Sequence, residues 1–93
     1  MTPEERKFRA NDAKALLENK LFREAFKAVA EYLESAAMGC DPDNKEKAAR
    51  IIISKQLLAG VRREIERVVE DGLVAEVQIA ELEKRRGLKR FIR

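Results

Sequence analysis

From residue 51 to residue 68 the chain places Ile51, Ser54, Leu58, Val61, Ile65 and Val68 in alternating steps of three and four. That spacing leaves little choice of structure. Such steps return to one face of an α-helix, as in a coiled-coil seam, whereas a strand needs alternation every second residue. The run Ile51-Ile52-Ile53 is β-branched, but it sits between strongly helical flanks and belongs to the seam, so helix is expected there too.

The N-terminal half carries a similar signal. Thr2-Pro3-Glu4-Glu5 is a helix start: Thr2 can cap the free amides, Pro3 suits the first helical position, and Glu5 can close a capping box. Phe8, Ala15, Phe22, Val29 and Ala36 fall seven apart, with Phe26 and Leu33 filling the same face. Leu16, Leu17 and Leu21 lie off that stripe. Asn19 among them is a poor mid-helix residue and a good cap. A break near Asn19-Lys20 and an uninterrupted helix are therefore both open. Gly39 is expected to close the helix in the left-handed conformation. In the turn that follows, Asp41 with Pro42 at the first helical position competes with a capping box of Asp43 and Glu46.

Further on, Glu46 with Arg50 and Arg67 with Asp71 are charge pairs four apart. Gly60 costs a helix ~1 kcal/mol against alanine; it is either simply tolerated or, with Ala59, admits another backbone. Gly72 reads as a stop or hinge and Gly87 as an end. Between them Leu73, Val77, Ala80 and Lys84 share one helical face, and Ala75, Ile79 and Leu82 another. The predicted fold is all-α: a long antiparallel helical hairpin of residues 3–38 and 42–71, plus a shorter third helix over about 73–86, in an oligomeric bundle. Residues 1–83 would form one helical domain and residues 84–93 a basic C-terminal tail.

Oligomerisation is expected from two considerations. At 93 residues the chain buries a modest core, and Cys40 is its only cysteine, so no internal disulfide reinforces it. In addition, each arm has apolar residues off its seam: Leu17, Leu21 and Tyr32 on the first, Ile52, Leu57 and Val69 on the second. A hairpin covers one seam and not both sets. Those six residues are the candidate self-association surface, with a two-fold dimer favoured over a self-contained three-helix monomer.

Charge is unevenly spread. Lys84, Arg85, Arg86, Lys89, Arg90 and Arg93 stand in the last ten residues without an acid, whereas all 17 acidic residues lie in the first 83. With Phe91 as an anchor, this segment is the candidate contact for an acidic protein surface, or for nucleic acid through its phosphates. A solvated segment with no specific role is the third reading. Arg62, Arg63 and Arg67 are interleaved with Glu64, Glu66 and Glu70 and read as a solvated face.

Enzymatic chemistry is not expected. The chain has no histidine, no glycine-rich phosphate loop and no nucleophile elbow. Cys40 has an acidic neighbour, Asp41, which opposes thiol activation. The segment Asp41-Pro42-Asp43-Asn44 lacks the Gly and Glu that a calcium loop needs at its sixth and twelfth positions. Neither a cofactor, a metal nor a small-molecule substrate is expected. No apolar run approaches the roughly 20 residues of a membrane span, and a lone thiol without an export signal suits the cytoplasm.

Ala15-Leu16-Leu17-Glu18-Asn19, Leu21-Phe22-Arg23-Glu24-Ala25-Phe26 and the later Val69-Glu70-Asp71-Gly72 together resemble small helical proteins of tailed bacteriophages and prophages. The resemblance spans residues 10–75, with Lys20 where that pattern has proline. It implies a protein encoded near virion-assembly genes, acting by assembly in the host cytoplasm or the virion, and it transfers no catalytic residue. The expectation is thus a structural or adaptor protein working by self-association and protein–protein contact. The alternative is a small nucleic-acid binder, similar to a terminase small subunit, using the basic tail.

Overall fold

A computed structural model describes the backbone of residues 1–91 and the side chains of residues 1–87. All regular structure among these residues is α-helical: α1 Pro3–Glu18, α2 Lys20–Met38 and α3 Lys45–Phe91. The all-α expectation holds, and the boundaries show why some of the punctuation was misleading.

Thr2 does cap α1, its Oγ accepting from the Glu5 amide at 3.2 Å. Asn19 breaks the first arm: its backbone is extended (φ −66°, ψ 124°) and its Oδ1 accepts from the Phe22 amide at 2.9 Å. Gly39 ends α2, but in the right-handed region (φ −90°, ψ 0°) rather than the left-handed one. Neither candidate cap of the following turn starts α3. Asp41 instead braces the turn, its side chain accepting from the Asp43 amide and its carbonyl from the Asn44 amide, both at 2.9 Å. Asn44 is the cap, accepting from the Lys47 amide at 3.1 Å. α3 therefore begins at Lys45 rather than Pro42.

No third helix separates at Gly72, and Gly87 does not end the element: α3 runs unbroken to Phe91. The reason is visible in the spacing. The three-four alternation that ends at Val68 continues through Gly72, Ala75 and Ile79, so Gly72 occupies a seam position instead of closing a helix.

The chain divides into two units, Leu16–Glu64 and Met1–Ala15 with the segment from Ile65 onward. In the first, α2 and the early part of α3 form an antiparallel hairpin. Glu34 pairs with Lys55 at 2.6 Å and the Arg62 guanidinium lies 6.0 Å from the Phe26 ring centroid. As position falls along one helix it rises along the other. Ile51 is buried and Phe22, Phe26, Leu33 and Leu58 are half-buried, with the Phe22 and Phe26 rings 5.8 Å apart. Full burial of such a side chain stabilises by about 1.5–3 kcal/mol. Val29 and Val61, which belong to the same seam, remain 47% and 54% exposed.

The second unit pairs α1 with the later part of α3 through small residues. Ala10 and Ala75 are buried, and a Cβ added to Gly72 would run into the Ala10 Cβ. This is a close backbone approach that only glycine allows at that position. The predicted α1 stripe through Phe8 and Ala15 is not the packed one: Phe8 is 70% exposed and Ala15 is exposed. The packed face is Pro3, Arg6, Ala10 and Ala13. That face continues to Leu17, five residues before Phe22.

Candidate functional site

Two arrangements of side chains stand out, one polar and one apolar. In the unit containing Met1–Ala15, the Arg6 guanidinium grips Asp71 with two hydrogen bonds, Nη2 to Oδ1 at 2.7 Å and Nε to Oδ2 at 3.0 Å. Its Nη1 donates to Gln78 Oε1 at 2.7 Å. Gln78 follows Asp71 by seven residues, so both acceptors lie on one face of α3. This planar fork is the strong form of charge-assisted pairing. The hydrogen bond from Arg6 holds the Asp71 carboxyl below the usual carboxylate range, with Arg67 and Arg9 adding to the effect; the same bond raises the Arg6 pKa. The three side chains bond one another within one chain and so clamp α1 against α3.

The apolar arrangement lies on the α2–α3 hairpin. Leu21, Ala25, Ala28 and Tyr32 each immediately precede a seam residue, as do Ile53, Leu57 and Gly60 on α3. Two antiparallel helices are related by a local two-fold axis, so equivalent positions on both face the same flank of the pair. These seven residues therefore form one surface. Leu21 is 74% exposed, Tyr32 73%, Leu57 67% and Ile53 54%. Gly60 lies in the stripe with nothing within 4 Å of a Cβ placed on it. The opposite flank, built from residues that follow seam positions, carries the Glu34–Lys55 pair. One side is thus bridged by charge and the other is apolar and open.

The six residues put forward for self-association fall into three groups. Leu21, Tyr32 and Leu57 lie on the open flank, Tyr32 level with Leu57 and Leu21 about three turns further along α2. Ile52 is exposed, but it follows a seam residue and belongs to the charged side. Leu17 and Val69 are half-buried. Sequence reasoning missed Ile53 and noted Gly60 only as a possible close approach with Ala59; the rule that a residue just before a seam position joins this flank would have found Ile53 and placed Gly60 beside it. In the other unit, Leu73, Val74 and Val77 are also exposed.

Lys84, Arg85 and Arg86 are exposed on α3. The backbone at Lys89, Arg90 and Phe91 is helical, while the side chains of these three, and Arg93 altogether, lie outside the described residues. Cys40 is a free thiol whose Sγ lies 3.6 Å from the Asp41 carbonyl oxygen. Among the described residues no cluster of His, Cys, Asp or Glu is arranged to hold a metal ion, and no helix is long and apolar enough to cross a membrane. Comparison with known protein families, curated proteins and solved structures finds no match to this chain.

Proposed function

We propose that this protein is a non-enzymatic structural or adaptor protein that works by associating with itself and with a protein partner. The observation that carries this reading is the amount of apolar helix surface left in contact with water, above all Leu21, Tyr32 and Leu57 on one flank of one hairpin. Exposed apolar residues are common singly; grouped on one face they mark an interaction site. The absence of histidine from the sequence agrees with a role in contact rather than chemistry. The resemblance to phage proteins extends the proposal to virion assembly. Sedimentation velocity across the micromolar range tests it: mass should rise with concentration, and a monomer at high micromolar concentration would remove the basis of the reading.

A second reading is nucleic-acid binding, favoured by the three consecutive exposed cations Lys84, Arg85 and Arg86. Binding would be sequence-tolerant and would weaken steeply with added salt. Fluorescence anisotropy on labelled duplex and single-stranded DNA, with the wild type and the triple glutamine variant at 84–86, separates it from the first. Equal signals for the two proteins at low salt would exclude it.

A further inference from the structure

We infer that the C-terminal stretch of α3 lies in the major groove of double-stranded DNA, with its cations reaching the phosphates of both groove walls. This deepens the nucleic-acid reading and rests on it. Three observations select this partner.

The first is exposure. Every residue from Ala80 to Gly87 is exposed, Leu82 included at 44%, so over two turns no face of α3 is packed against another element. At 1.5 Å per residue these positions make a bare rod about 12 Å long, and the helical backbone carries it on to Phe91. The major groove of B-form DNA, roughly 12 Å wide, admits such a helix.

The second is the direction of the charges. Lys84, Arg85 and Arg86 are consecutive and exposed. Consecutive helix positions point about 100° apart, so the three span about 200° of the circumference, with Lys84 and Arg86 on opposite sides. A flat acidic surface, whether of a protein or a bilayer, meets one side of a rod and leaves one of these two in water. A groove has a phosphate wall on each side and engages both. Glu81 and Glu83 precede the cations, but no ion pair joins them to Lys84, Arg85 or Arg86 among the described residues. They mark where the contact ends toward the body of the chain. The third is charge density. Lys89 and Arg90 follow along the same helical backbone, which gives five cations in positions 84–90 and no acid after Glu83. A DNA duplex carries one negative charge per about 1.7 Å of its axis, a comparable density.

The test is fluorescence anisotropy of the full chain with short labelled duplexes of one sequence, made as DNA and as RNA. Side chains cannot read the narrow major groove of A-form RNA, so the DNA duplex should bind about tenfold more tightly or better. Lys84→Gln and Arg86→Gln should each weaken DNA binding about fivefold and lower its salt slope by about one. Gly87→Pro keeps every charge but breaks the helix, and it should weaken DNA binding about tenfold. Nothing lies within 4 Å of a Cβ at Gly87, so thermal unfolding of the rest should be unchanged, and Gly87→Ala should bind at least as well as wild type. Absence of binding to any nucleic acid at low salt would sink the nucleic-acid reading and this inference together. Equal affinity for the two duplexes, or full DNA binding by Gly87→Pro, would leave that reading standing and overturn the groove geometry. An effect from only one of Lys84→Gln and Arg86→Gln would show a one-sided contact and overturn it likewise. Stronger binding to polyglutamate or to anionic phospholipid vesicles than to DNA would assign the cations to a protein or bilayer surface instead.

Discussion

The two units share one continuous helix and are held by opposite means. The Leu16–Glu64 unit packs large side chains, with Ile51 buried and Phe22, Phe26, Leu33 and Leu58 half-buried. The other packs Ala10 against Gly72, buries Ala75, and adds the Arg6–Asp71–Gln78 clamp. Large side chains fill a seam and hold two helices apart, so the neighbouring flank is left open. Small residues bring backbones close and bury little apolar area, and a charge-assisted fork adds orientation that such contacts lack. The lesson is that the first unit should tolerate added volume on its flank but not loss at its seam, and the second should behave the other way round.

The largest effect is expected from Ile51→Ala. Ile51 is 8% exposed, and truncating a buried isoleucine costs about 2–5 kcal/mol. Amide hydrogen exchange should accelerate across α2 more than across residues 3–15. Equal acceleration in both would show that the units unfold as one and would break the comparison. Gly72→Leu comes next. Overpacking costs about 1–3 kcal/mol, and here the loss of protection should fall on residues 3–15 while α2 keeps its own.

Acid sharpens the contrast. Asp71 is held below its ordinary range by the Arg6 hydrogen bond. Its contribution to stability is therefore complete above that range, declines as pH falls through about 4 and is lost once the lowered folded-state value is passed. Protection of residues 3–15 should follow that decline. Arg6→Met should flatten the dependence, because it removes the largest cause of the lowered Asp71 value and leaves only the weaker pull of Arg67 and Arg9. A profile unchanged by Arg6→Met would mean that the clamp does not stabilise α1.

How much was legible follows from the same contrast. The Ile51–Val68 seam and the Phe22–Ala36 stripe were readable because Phe, Ile and Leu at helical spacing carry a strong signal. The packed face of α1 was not, since Pro3, Arg6, Ala10 and Ala13 show no apolar contrast with their neighbours, and the louder Phe8 drew the stripe to the wrong side. Gly72 was taken for a stop because glycine ends helices more often than it packs inside them. Its place in the continuing three-four alternation was the available clue. Asn44 lost out to Asp41 and Asp43 as a cap because a cluster of cap-forming residues does not say which of them the chain will use. Of the candidate interaction surface, large members such as Leu21, Tyr32 and Leu57 were visible from residue type. Gly60 was noted from the sequence as a possible close approach, but setting it on the same flank as Tyr32 required the antiparallel pairing of α2 and α3, which depends on contacts between residues far apart in sequence.

The smallest effects come from one substitution made at two glycines of the same helix. Gly60→Ala adds a methyl where nothing lies within 4 Å, so at concentrations where the chain is dissociated it should gain up to ~1 kcal/mol from helix propensity. Gly72→Ala makes the same gain but drives its Cβ into that of Ala10. An overpacking cost of about 1–3 kcal/mol should outweigh that gain. Opposite signs in paired thermal or urea denaturation are therefore expected. If both variants were stabilised, the helices would be able to separate at Gly72 without loss, and the close approach would be incidental to the fold. If both were destabilised, Gly60 would have to be packed against something even in the dissociated chain, and the flank around it would not be open.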